Sequence, residues 1–119
     1  NDWKPGELRD STTPAAMAEN LRKALIGDAL SPSSRNQLAE WMLGTQTSGK
    51  RLRADLPPGW RLADKTGSGA LGSTNDVGVL WPPEGAPWVI AVYLTETSAS
   101  DDQRNGAIAD VGRWARGQG

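Results

Sequence analysis

Five consecutive residues, Lys65-Thr66-Gly67-Ser68-Gly69, hold the chemistry in this chain most suited to recognition. Lysine supplies a point charge, and the threonine and serine hydroxyls supply short hydrogen-bonding arms. The two glycines remove side chains that would keep a ligand away from the backbone. The stretch closes a short apolar run, Trp60 to Ala63, that reads as a strand, and a second apolar run returns from Asp76 to Trp81. A cation, hydroxyls and glycines at a strand end suit an extended anionic ligand lying along a sheet edge. A solvated strand end with a glycine turn would use the same residue types.

The rest of the composition narrows the chemistry. With 119 residues the chain suits one domain around one core. Thirteen basic against fourteen acidic residues give a formal charge of −1, and no Lys/Arg block marks a nucleic-acid surface. Cysteine and histidine are both absent. That excludes disulfides, thiolate chemistry, a Ser-His-Asp triad and the usual zinc ligands. Hydrolysis here would rest on lysine, carboxylates, hydroxyls and backbone amides. No metal or cofactor is expected. No apolar run approaches membrane-spanning length. The opening residues, Asn1 to Gly6, do not read as a signal peptide and look like the middle of a loop.

Certain elements must position the pentad. Residues 1–13 read as irregular. Thr13-Pro14 is a hydroxyl N-cap followed by proline at the first helical position, and Met17, Leu21, Ala24 and Leu25 continue at helical spacing to Gly27. Ser31-Pro32 repeats the signal, with Leu38, Trp41 and Met42 as an apolar stripe and Gly44 as the stop. A short helical turn is expected over 50–55. Strands are expected over 60–66, 75–82 and 87–95, joined by links short enough to make them antiparallel neighbours. Ser100-Asp101-Asp102-Gln103 reads as a capping box. The helix it opens, with Ile108, Val111 and Trp114 or Ala115 facing inward, is expected to cover the sheet on one face only, leaving the other face bare.

So arranged, the chain resembles the C-terminal part of a class A serine β-lactamase. The resemblance rests on Arg9-Asp10-Ser11-Thr12-Thr13-Pro14-Ala15-Ala16-Met17, Leu56-Pro57-Pro58-Gly59-Trp60, Asp64-Lys65-Thr66-Gly67-Ser68-Gly69, and Asn75-Asp76 before the next strand. Lys-Thr-Gly is one of the boxes of that family. The resemblance implies an α/β (α+β) fold of the β-lactamase/transpeptidase kind. Residues 1–13 would end the Ω-loop, 14–58 would be helices of the all-α subdomain, and 59–119 would be three antiparallel strands and a C-terminal helix. It also implies a periplasmic or secreted protein and a β-lactam substrate, without nucleic acid or a membrane span.

The other boxes of the family are absent. None of the four lysines follows a serine by three positions, and Ser-Asp-Asn does not occur. The nucleophile, its lysine and the Ω-loop glutamate are therefore expected on an N-terminal portion of the same enzyme, which would be this chain's partner. By resemblance, Lys65 and Thr66 face the substrate carboxylate, Ser68 gives its backbone N–H to the oxyanion hole, and Gly67 and Gly69 keep the edge open. Arg51 is the expected second cation, because Thr74 stands where many relatives carry arginine. Arg53 would point elsewhere, and its removal is expected to be near neutral. Thr47 matches a substrate-pocket residue, Asn1 an asparagine that holds the hydrolytic water, and Asp10 a structural aspartate. Trp60, Trp81 and Trp88 read as packing residues. Two alternatives stay open: a penicillin-binding transpeptidase or carboxypeptidase, and a non-catalytic complementation fragment.

Overall fold

A computed structural model describes residues 4–8 and 11–118. Among the described residues three α-helices, a π-helical turn and three strands follow in the order α1 (Pro14–Leu21), the π-helical turn (Arg22–Ile26), α2 (Pro32–Leu43), β1 (Arg61–Ser68), β2 (Thr74–Trp81), β3 (Trp88–Leu94) and α3 (Asp101–Arg116). The helix starts are those the capping residues dictate. Thr13 Oγ1 accepts from Ala16 N and Ser31 Oγ from Ser34 N, each satisfying an amide that the first helical turn leaves orphaned. Ser100 and Gln103 exchange both bonds of the capping box.

Two expectations about the helices change. The first helix does not run evenly to Gly27: its last residues widen into the π turn, where Gly27 N reaches back to Arg22 O at 2.7 Å. Residues 50–55 form a chain of tight turns, including Arg51 N to Ser48 O and Ala54 N to Arg51 O, and no regular helix.

The strands form one antiparallel sheet in the order β1-β2-β3. β1 runs two residues further than expected, so that Lys65 to Ser68 all lie within it, paired from Lys65↔Val77 to Ser68↔Thr74. Its link to β2 is tight. Gly72 has φ +75°, and a Cβ there would lie 2.5 Å from Thr97 O, so both conformation and space require glycine.

Both faces of the sheet are covered, contrary to the expectation of one bare face. Alternation sends Ala63, Val77 and Val79 to one side, against Leu21, Leu25 and Met42 of the N-terminal helices. It sends Leu62, Leu80 and Ile90 to the other, against Leu52 of the turn segment and Ile108 and Ala115 of α3. α3 buries Ala115 and leaves Trp114 exposed, with Val111 at the margin. Trp41, expected in the apolar stripe of α2, is 69% exposed, and Met42 takes the buried place. Trp60, Trp81 and Trp88 pack against the two cores half-buried. Gly112 brings α3 close to the turn segment, since a Cβ there would lie 3.0 Å from Leu52 O. Among the described residues, no helix is long and apolar enough to cross a membrane.

Candidate active-site edge

β1 is an edge strand, so its outer carbonyls need partners from elsewhere. The segment between α2 and β1 supplies them. Thr45 Oγ1 donates to Asp64 O at 2.5 Å, and Arg53 Nη2 donates to Leu62 O at 2.9 Å. Further along, Lys65 Nζ donates to Thr66 O at 2.6 Å and remains exposed. The protein thus covers the first half of this edge with its own chain. Its second half carries the Lys65–Ser68 chemistry. Among the described residues no carboxylate forms an ion pair with Lys65.

Arg51 reaches this second half. Its Nη1 donates to Gly67 O at 3.0 Å and to Asn75 O at 2.9 Å, and its Nη2 donates to Ser68 Oγ at 2.8 Å. Nε donates to Asn105 Oδ1 of α3 at 2.9 Å, which fixes the plane of the guanidinium. All its partners are neutral, so the positive charge is held in place without being cancelled. Thr47 Oγ1 lies 2.5 Å from Thr66 Oγ1. Lys65, Thr66, Gly67, Ser68, Arg51 and Thr47 are therefore brought to one place. Gly69 follows at the turn, its N bonded to Ser73 O. Asn1 and Asp10 lie outside the described residues.

Three expectations need correction. Gly67 leaves room for a neighbour as well as for the edge: a Cβ there would lie 2.5 Å from Asn75 Oδ1, so the side chain of its cross-strand partner fills the space. Arg53 is not a dispensable surface cation. It points away from Arg51, as expected, but Nη2 lies 2.6 Å from Oδ1 of the fully buried Asp64, and Nε donates to the buried Ser48 Oγ. Thr74 is itself buried, and its Oγ1 accepts from Arg104 Nε at 3.0 Å, so the place where many relatives are expected to carry arginine is already next to a guanidinium.

Behind the edge lies a feature that motif reading did not assign. Asp64 and Asp76 are both fully buried, on adjacent strands and on the same face. Asp64 sits opposite Gly78, where a Cβ would lie 2.8 Å from Asp64 Cβ and 2.3 Å from Ala63 O, so only glycine fits. Asp76 Oδ2 accepts from Leu52 N at 3.1 Å. Burial, reinforced by the hydrogen bond and charge of Asp64, pushes the Asp76 carboxyl up to about 8, against the opposing pull of Leu52 N–H and Arg51. The signal was available: alternation along 60–66 and 75–82 puts both aspartates on one face. Among the described residues no group of acidic side chains could hold a metal ion.

Known proteins share this fold and much of this sequence. The sequence model described as "Beta-lactamase enzyme family" matches residues 2–117. β-Lactamase AER-1 of Aeromonas hydrophila is 54% identical over 94% of this chain, and β-lactamase PSE-4 of Pseudomonas aeruginosa is 43% identical over the same share. The match spans only 37% and 39% of those two relatives. Among solved structures, an ancestral class A β-lactamase superposes with a TM-score of 0.94 at 54% identity, over 98% of this chain and 45% of that one. A putative class A β-lactamase, PenP from Rhodopseudomonas palustris, gives 0.92 at 50% identity, over 97% of this chain and 44% of that one. The chain spans less than half the length of these relatives, and across that span it belongs to the class A β-lactamase family.

Proposed function

We propose that the whole protein hydrolyses β-lactams through a serine acyl-enzyme, and that this chain supplies the substrate-carboxylate and oxyanion side of the site. In this reading Lys65 and Arg51 bind the carboxylate of the antibiotic, with Thr66 as a hydroxyl donor and Thr47 fixing that hydroxyl. Gly67 and Gly69 leave the edge approachable. Ser68 N–H is one oxyanion donor. Leu62, Asp64 and Thr66 present their carbonyls away from β2, and the two-residue alternation of a strand puts Ser68 N–H in that same outward row. A fixed donor there meets negative charge as it grows on the carbonyl oxygen, and losing such a donor typically costs about 3–4 kcal/mol. The nucleophile, its lysine and the general base belong to the remaining part of the enzyme, with Asn1 beside the hydrolytic water and Asp10 in a structural pairing. The protein acts in the periplasm or outside the cell, as the family resemblance implies.

The observation that carries this reading is the placement of Arg51. Its guanidinium is fixed by four hydrogen bonds to neutral groups at the Gly67–Ser68 end of the strand that carries Lys65. Two held cations beside an open strand edge suit a monoanionic substrate.

The test is turnover of a chromogenic β-lactam such as nitrocefin. The 119-residue chain alone is expected to be inactive, and the complete enzyme active. Lys65→Ala in the complete enzyme should lower kcat/KM for substrates with a carboxylate far more than for a methyl ester of the same β-lactam. Equal losses on both substrates would overturn the assignment of Lys65 to the carboxylate.

A further inference from the structure

Each buried aspartate behind the edge uses one oxygen and leaves the other idle. Asp64 Oδ1 takes Arg53 and Asp76 Oδ2 takes Leu52 N–H, while Asp64 Oδ2 and Asp76 Oδ1 are buried without a hydrogen-bond donor. The two side chains are diagonal neighbours on one face of the paired strands, Asp64 opposite Gly78 and Asp76 opposite Thr66, a separation that side chains can bridge. Gly78, opposite Asp64, puts no side chain between them. Two bare carboxylates so placed would repel each other and leave two acceptors unsatisfied out of water. One proton between the idle oxygens removes both penalties.

We propose that Asp64 and Asp76 share one proton across these idle oxygens, and that this acid–carboxylate pair is the positioning device that leaves the Arg51 charge uncompensated and the side chain seated at the Ser68 edge. The second half of this inference rests on the reading of Arg51 as a substrate-carboxylate ligand.

The connection to Arg51 is short. Leu52 and Arg53, the two residues that follow it, are the ones the pair holds, by backbone and by side chain respectively. The charged groups facing the pair are Arg53 and Arg51 from the turn segment; from α3, Asn105 and Arg104 are engaged with Arg51 and Thr74. With one shared proton the pair carries a single negative charge, which Arg53 balances. Arg51 then keeps its positive charge for a ligand at the edge. Loss of the proton would place a second negative charge behind Arg51 and weaken the positive potential at the edge.

Asp76→Asn separates this from a merely structural role. The amide keeps the shape: its oxygen can accept from Leu52 N–H, and its NH₂ can donate to Asp64 Oδ2 where the proton stood. Two measurements on the complete enzyme apply. First, 13C NMR of labelled aspartate carboxyls should show one buried carboxyl still protonated at neutral pH, and Asp76→Asn should delete that signal. This readout does not involve substrate, so it stands or fails independently of the proposed activity. Second, KM for an anionic β-lactam in the unaltered enzyme should rise several-fold as pH passes about 8, with kcat changing less, and Asp76→Asn should abolish the rise. Both buried carboxyls ionised at neutral pH would overturn the shared proton. A rise in KM that persists in Asp76→Asn would overturn the link to Arg51. The NMR measurement on the unaltered protein decides the first point even if Asp76→Asn fails to fold.

Discussion

Arg51 Nη2 lies 2.8 Å from Ser68 Oγ, bridging the turn segment and the β1 edge across 17 positions of sequence. The same guanidinium takes the carbonyls of Gly67 and Asn75, so it ties β1 to β2 where their ladder ends. Local structure and, in the proposed reading, substrate recognition therefore depend on one side chain.

Arg51→Ala in the complete enzyme is expected to lower kcat/KM by about 1.5–3 kcal/mol, the range for hydrogen bonds to a charged group. The thermal midpoint should also fall modestly, because four hydrogen bonds are lost with it. Arg51→Lys keeps the charge but not the planar fork, and should recover part of the activity. Arginine at Thr74 should not rescue Arg51→Ala on its own, since Arg104 already holds Thr74 Oγ1. Steady-state kinetics on one anionic substrate across these variants would check the series.

Arg53→Ala is expected to be strongly destabilising. It leaves Asp64 buried without its cation, and breaking a buried pair in this way typically costs about 3–5 kcal/mol. Arg22→Ala, which removes an exposed pair with Glu19 on α1, should be near neutral. Denaturant midpoints for both variants would make the comparison, and similar small shifts would refute the buried-pair account.

Two glycines should respond differently to alanine. At Gly78 the added Cβ meets the backbone of Ala63 and Asp64, which cannot move without breaking the strand pairing, so Gly78→Ala should fail to fold or melt far lower. At Gly67 it meets only the end of the Asn75 side chain, which can swing aside. Gly67→Ala should therefore keep most of its stability and lose activity. Paired measurements of melting and nitrocefin turnover would distinguish the two.

Asp76 gives the stability a pH dependence of definite sign. Its folded-state carboxyl is pushed up to about 8, whereas an unfolded aspartate titrates near 4. Below about pH 4 both states hold the proton, and the contribution is complete. Between about 4 and 8 the folded state keeps a proton that the unfolded state has released, so stability falls as pH rises, by at most ~1.4 kcal/mol per unit. Above about 8 the loss levels off. The difference in unfolding free energy between the unaltered enzyme and Asp76→Asn, measured across that window, isolates this term. A flat difference would contradict it.

The local grammar of the chain was legible without coordinates. Thr13, Ser31 and Ser100 set the helix starts because each offers an oxygen to amides that no helix interior can satisfy. Short turns between β-rich runs left antiparallel pairing as the simple solution, and the Lys65–Gly69 pentad with its companion motifs carried the family. Distance in space was not legible, because it depends on how the elements pack. Tertiary structure decided that Arg51 meets Ser68 while Arg53 turns inward to Asp64. It also decided that Trp41 and Trp114 stay at the surface, that both faces of the sheet are covered, and that Gly67 makes room for Asn75. Alternation could place Asp64 and Asp76 on one face, but only packing buried them together. Periodicity fixes which way a residue points along its own element; what it meets there is set by the neighbouring element, and that choice is made by the whole core.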